Sequence, residues 1–254
     1  MIENKAKAVV ILGMHRSGTS MIGGVLARLG INMGEHFRDT RIVSNPLGFY
    51  EDINFLNLNK EILNEAGGSW ENPPKMELIL SQQGKFDDNI QKLINNKTQL
   101  WGWKDPRTSL TIRLFLPYLQ NVYFIVCYRE PKAVANSLHK RSGMKYDKAM
   151  KLYEIYEREI ENFFKDYPNL QKLKLNYKEI ISNPRGNVDK IINFLDITVN
   201  KIKHKEAIEF ILPKEKRSKI KQRLLITHLI KRGIQNPWKI PKYILKNLRK
   251  LLQK

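Results

Sequence analysis

Eight residues near the start of the chain, Gly13-Met14-His15-Arg16-Ser17-Gly18-Thr19-Ser20, combine two glycines, three hydroxyls and a guanidinium in a pattern suited to an oxyanion. Glycines let the backbone curl around such a group, and a helix opening at the end of the loop points N–H donors and its positive dipole end at it. Thr19 and Ser20 add hydroxyls in the first turn, and Arg16 supplies a bidentate cation. The spacing is that of a phosphate loop, G-x-x-x-x-G-x-[ST], but Thr19 stands where that loop carries lysine. In nucleotide hydrolases the lysine reaches the β- and γ-phosphates while the next hydroxyl holds magnesium. Its absence argues against ordinary ATP or GTP hydrolysis. The bland alternative is a glycine turn with nothing bound, and the flanking elements weigh against it.

Those elements set the frame. Lys7–Leu12 is an apolar, β-branched run ending at Gly13 and reads as a buried strand. Ser17–Leu29 has helical spacing, with Met21, Ile22, Val25, Leu26 and Leu29 on one side and Gly30 as a stop. Further strands are predicted over Leu100–Lys104, Asn121–Tyr128 and Leu170–Leu175. Helices are predicted over Ile53–Ala66, Phe86–Asn95, Pro106–Leu119, Pro131–Arg141, Asp147–Lys165 and Asn187–Leu195. The alternation predicts an α/β fold, a three-layer sandwich like that of P-loop NTPases, with a central parallel sheet flanked by helices. Ligand loops then lie at the sheet's carboxyl edge. Trp101 and Trp103 are expected to pack against the sheet.

A chain of 254 residues with 42% hydrophobic content can bury a substantial core and is too apolar for disorder. One cysteine, Cys127, excludes an intrachain disulfide and a multi-cysteine metal site. No run approaches the apolar length of a membrane span, and the first residues lack the pattern of a signal peptide, so a cytoplasmic location is expected. The net charge is +20, and 14 of the Lys and Arg residues but only one acid, Glu215, fall between Pro213 and Lys254. We therefore expect a domain over residues 1–212 and a basic extension over 213–254. Lys216–Lys231 and Lys239–Gln253 have amphipathic spacing, so the extension reads either as helices packed on the domain or as contacts with an anionic membrane face.

Beyond the loop, four segments follow in a telling order: Asn45-Pro46-Leu47-Gly48-Phe49-Tyr50-Glu51, Trp103-Lys104-Asp105-Pro106-Arg107, Tyr128-Arg129-Glu130-Pro131 with Ser137-Leu138, and Asn176-Tyr177-Lys178-Glu179 with Asn183-Pro184. With the loop, these resemble the motifs of bacterial-type sulfotransferases that use 3′-phosphoadenosine 5′-phosphosulfate (PAPS). The resemblance runs over roughly residues 8–196 and stops short of the basic extension. It implies a 5′-phosphosulfate loop made by His15, Arg16, Ser17, Gly18, Thr19 and Ser20, a 3′-phosphate site at Arg129 and Ser137, and Tyr177 packed on the adenine. It implies PAPS as donor and no metal. The residues make sense of the second site. Arg129 follows a strand's carboxyl end, where α/β folds place ligands, and Ser137 lies about two turns into the next helix. Taken singly, Arg129 reads as a surface ion pair and Ser137 as a neutral helix residue.

Sulfuryl transfer, like phosphoryl transfer, needs positioning, charge stabilisation and a general base for the acceptor hydroxyl. Glu51 is the base candidate, in line with the family's habit of drawing it from the segment after the loop; the alternative is a first-turn helix carboxylate. Asp52, His15 and His36 are further candidates. Lys104, with Arg16, is expected to neutralise charge at the transferring group, and Arg107 is either a partner in that task or part of an ion-pair network with Lys104 and Asp105 behind the loop. The acceptor is expected to be a carbohydrate or glycolipid. The competing readings are a P-loop nucleotide or metabolite kinase, which wants a lysine after Gly18, and a basic nucleic-acid-binding protein.

Overall fold

The computed structural model describes residues 6–37, 48–95, 97 and 99–211. The basic extension and residues Asn45, Pro46 and Leu47 lie outside the described residues.

Four strands, β1 (Lys7–Leu12), β2 (Leu100–Lys104), β3 (Val122–Tyr128) and β4 (Gln171–Asn176), pair in parallel in the order β2-β1-β3-β4. In register, Val10 of β1 lies between Trp103 of β2 and Phe124 of β3. Side chains alternate across a strand. Ala8, Val10 and Leu12 accordingly join one large core with Phe55, Ile62, Trp103 and Phe163. Val9 and Ile11 are equally buried but lie outside that core, so both faces of the sheet are covered. This is why the strands read as continuous apolar runs. The fold is the expected α/β sandwich with a parallel sheet flanked by helices. Trp101 and Trp103 stack with ring centroids 5.5 Å apart, and Phe55 stacks on Trp103 at 4.7 Å, so the pair is core as expected.

The helices are α1 (Thr19–Leu29), α2 (Ile53–Glu65), α3 (Met76–Leu80), α4 (Asp87–Ile94), α5 (Thr108–Phe115), α6 (Pro131–Ser142), α7 (Tyr146–Asp166), α8 (Tyr177–Ser182), α9 (Pro184–Leu195) and α10 (Lys201–Phe210). Among the described residues no helix is long and apolar enough to cross a membrane. Three boundaries differ from the sequence reading for identifiable reasons. Helix α1 starts at Thr19 rather than Ser17 because Gly18 is left-handed, with φ 101°. Helix α5 gives way to a 3-10 turn over Leu116–Tyr118, where Pro117 has no N–H to continue the ladder. Helix α9 starts at Pro184 rather than Asn187, because the Asn183 side chain caps it by accepting from the Gly186 N–H and proline suits the first turn.

From β1 the chain proceeds to β2 on one side and later to β3 on the other. The carboxyl ends of β1 and β3 therefore flank the point where strand order reverses, the usual ligand crevice of open α/β sheets.

Candidate functional site

The loop after β1 sits in that crevice, and its glycines are fixed by close approach. Gly13 has φ 140°, and a β-carbon there would lie 2.3 Å from the Cys127 carbonyl oxygen of β3. The Gly13 N–H donates to Ser109 Oγ of α5 at 2.9 Å. A β-carbon on Gly18 would lie 2.8 Å from the Tyr177 ring. Arg16 takes a left-handed conformation, φ 74°, which costs a non-glycine residue roughly 1–3 kcal/mol and is typical of functional loops. No side chain caps α1. Thr19 and Ser20 open that helix and face the cavity, whereas Ser17 is buried and its Oγ has no hydrogen-bond partner among the described residues. Ser17 and Gly18 are not among the residues lining the cavity.

Four elements meet around Arg16. Its Nε donates to Ser137 Oγ of α6 at 2.9 Å. Arg129, just past β3, donates from Nη1 to the Arg16 carbonyl oxygen at 3.1 Å and lies 4.3 Å over the Tyr177 ring at the start of α8. Arg129 is thus a member of the loop's own network rather than a detached surface ion pair, and Tyr177 is half-buried at the site rather than part of the core. Burial, together with Arg141 and Arg129 nearby, lowers the Arg16 pKa to about 10. The cluster is rich in cations, and an anion bound among them would relieve their repulsion.

Glu51 and Lys104 line the same cavity. Lys104 Nζ lies 2.7 Å from Glu51 Oε1 and 3.2 Å from Ser20 Oγ, and the two charged side chains are 1% and 6% exposed. Asp52, the neighbouring base candidate, is occupied otherwise. It caps α2 by accepting from the Asn54 N–H and also accepts from the N–H groups of Glu35 and His36. His36 is exposed and does not line the cavity. The network imagined for Lys104, Asp105 and Arg107 divides in two. Lys104 turns to Glu51, while Asp105 accepts from Arg107 Nη1 at 2.8 Å and from Asn59 Nδ2 at 3.0 Å. Residues 104 and 105 leave the end of a strand on opposite sides, which separates them. Burial raises the Asp105 pKa, and Arg107 works against that rise.

His15 lines the cavity floor, 7% exposed, with its ring 4.2 Å from that of Trp70. Burial first, then the charges of Arg107, Lys104, Arg141 and Arg16, holds its pKa well below 6.5, so the ring is neutral. Phe49, Pro106, Arg107 and Arg141 complete the lining. Arg141 escaped the sequence reading. It lies four residues after Ser137 and so shares its helix face, a spacing that was available as a signal.

A model described as the sulfotransferase family matches residues 8–201. A Caenorhabditis briggsae protein named as a protein-tyrosine sulfotransferase is 24% identical over 226 residues, covering 82% of this chain and 72% of its own. Among solved structures, the sulfotransferase domain of a Synechococcus olefin synthase matches 87% of this chain and 95% of its own at 14% identity, with a TM-score of 0.48. A sulfotransferase from Mycobacterium tuberculosis matches 86% and 76% at 12% identity, with a TM-score of 0.46.

Proposed function

On the footing that this chain belongs to the sulfotransferase family, we propose that it transfers the sulfuryl group of PAPS to a hydroxyl or amino group of an acceptor by in-line displacement. The observation that carries the reading is the joining of two anion-binding motifs. Arg16 of the loop and Ser137 of α6 share a hydrogen bond of 2.9 Å, and Arg129 closes on the same loop residue. A nucleotide with phosphates at both 5′ and 3′ positions has the charge pattern that such a paired site would favour. The residues fit PAPS: helix-end donors and hydroxyls of Thr19 and Ser20 for the phosphosulfate, Arg129 and Ser137 for the 3′-phosphate, and Tyr177 as a flat surface for the base.

The chemistry follows from Glu51 and Lys104. Glu51 takes the proton from the acceptor as its oxygen or nitrogen bonds to sulfur, and the bond from sulfur to the phosphate oxygen breaks, releasing 3′,5′-diphosphoadenosine. Lys104 bridges Glu51 and Ser20. From there it holds the carboxylate in place and offsets negative charge growing on the leaving oxygen. No metal enters this scheme. A kinase reading lacks the lysine after Gly18 that would serve a γ-phosphate.

The acceptor we propose is a carbohydrate or glycolipid, and residues 213–254 are proposed as a separate basic extension, either packed on the domain or in contact with an anionic membrane face, to which its charge is suited. Thermal-shift titration with 3′,5′-diphosphoadenosine, ATP and duplex DNA tests the donor. Stabilisation by the 3′-phosphorylated nucleotide above the other two is expected, and a response to ATP alone overturns the reading. Transfer of label from radioactive PAPS into extracts of the native host then identifies the acceptor. Co-sedimentation with anionic liposomes, lost on truncation before Lys214, tests the extension.

A further inference from the structure

Tyr50, the residue before Glu51, has φ 53°, a left-handed conformation that an aromatic residue adopts only when its surroundings enforce it. Contacts on Tyr50 come from α1, from α10 and from Phe37, whose ring meets it edge-on at 6.0 Å. A β-carbon on Gly23 would lie 3.0 Å from Tyr50 Cβ and 3.8 Å from Lys104 Cβ, so the bare face of α1 seats both residues closely. A β-carbon on Gly24 would lie 2.1 Å from Phe210 Cε1 and 2.9 Å from Tyr50 Cε2. Phe210, at the end of α10, meets the Tyr50 ring edge-on with centroids 5.9 Å apart. Arg28 of α1 ties the group together: its guanidinium lies 3.7 Å over Phe210, and Nη1 donates to Tyr50 Oη at 3.1 Å and to the Gly24 carbonyl at 2.9 Å. Helix α10 is itself anchored by the Asn200 cap and by His204 against Asp189 of α9 at 2.6 Å. The segment matching the sulfotransferase family ends at residue 201, so all but the first residue of α10 lies past it.

We propose that α10 positions Glu51 for catalysis, with Phe210 as the positioning residue acting through Tyr50. The proposal rests on Glu51 being the general base. Phe210 touches neither donor nor acceptor in this scheme. It fills the space over Gly24 and, with Arg28 and Phe37, bounds the Tyr50 ring, and thereby aims the next residue at Lys104. A displacement of about 1 Å in a catalytic group is enough to cost on the order of 100-fold in rate.

Phe210→Ala and the milder Phe210→Leu test it in the full chain. Hydrogen exchange should rise at residues 49–53 and stay unchanged at residues 13–20. Affinity for 3′,5′-diphosphoadenosine should hold within about twofold, because Phe210 meets α1 at Gly24, about one turn beyond Ser20, and Arg129 is built on another element. PAPS turnover with water as acceptor, which yields sulfate and 3′,5′-diphosphoadenosine, should fall roughly 10- to 100-fold in Phe210→Ala and less in Phe210→Leu. In a Glu51→Gln background, Phe210→Ala should cost nothing further, since residues acting through one group are non-additive. Additive losses, or unchanged exchange at residues 49–53, overturn the proposal. Full turnover by Glu51→Gln alone would instead remove the base assignment on which it stands. If Phe210→Ala does not fold, Phe210→Leu and Arg28→Gln carry the same comparison.

Discussion

At one side of the site, Arg16, Ser137, Arg129 and Tyr177 are all half-buried and drawn together from four elements, with Arg16 reaching the cavity. On the other, Lys104 and Glu51 are almost fully buried and paired at 2.7 Å. Half-buried groups can exchange a neighbour or a water for a ligand oxygen at little net cost. A buried ion pair cannot be opened cheaply, because either charge left alone stays desolvated. One side is therefore suited to capture and release a charged nucleotide. The other holds its charges fixed before any ligand arrives, a preorganised arrangement suited to stabilising charge.

Substitutions in the buried pair should have the largest effects. Glu51→Gln should lower turnover of PAPS by roughly 10²- to 10⁴-fold, the usual worth of a general base, while affinity for 3′,5′-diphosphoadenosine measured by calorimetry stays nearly constant. Lys104→Met should add a loss of folding stability of about 3–5 kcal/mol, read by denaturant titration, because it strands the Glu51 carboxylate. An unchanged stability would mean that the pair is not fixed in the way described. On the half-buried side the order reverses. Arg129→Ala should leave stability nearly intact and weaken 3′,5′-diphosphoadenosine about 10- to 100-fold, the worth of charge-assisted hydrogen bonds. Binding of AMP, which has no 3′-phosphate, should change far less. Equal weakening of both nucleotides would remove Arg129 from the 3′-phosphate site. Ser137→Ala is the smaller version, worth about 1 kcal/mol or fivefold in the same titration.

The half-buried side was also the legible one. Its residues stand at loop ends and strand ends, where glycine spacing, a strand stop and a helix start mark them locally. Thus Gly13 to Ser20 could be singled out from their own spacing and Arg129 from its strand end, whereas Ser137 and Tyr177 were singled out by the resemblance to the sulfotransferase motifs. The buried side depends on contacts between distant segments. Glu51 and Lys104 are 53 residues apart, and nothing local says that Lys104 turns to Glu51 while Asp105 turns to Arg107. Helix α10 escaped for a different reason. Half of Lys201–Phe210 is charged, its Ile202 is 70% exposed, and only Ala207 and Phe210 are buried, so its apolar face is too sparse to show periodicity. Its role comes from one aromatic ring over one glycine.

His15 offers the finest test, because it sits between the two sides and feels both. In the unfolded chain its imidazole titrates near the ordinary 6.5. In the folded protein, burial and the cations Arg107, Lys104, Arg141 and Arg16 hold it well below that value. Below about pH 6.5 the unfolded chain therefore binds the extra proton, so His15 leaves stability intact above that pH and erodes it as the pH falls toward the folded value. Glu157 acts in the opposite sense: burial, then Glu161, raises its carboxyl to about 7, so its unfavourable contribution grows as pH rises from about 4.5. The raw melting curve sums the two. The difference between wild type and His15→Gln isolates the imidazole, and the wild type should lose melting temperature relative to the variant as pH drops from roughly 7 to 5. Saturation with 3′,5′-diphosphoadenosine should shrink that difference, because its phosphates offset the cations that depress His15. A pH difference untouched by the nucleotide would mean that burial alone governs the imidazole, and that His15 does not sense the charge of the donor site.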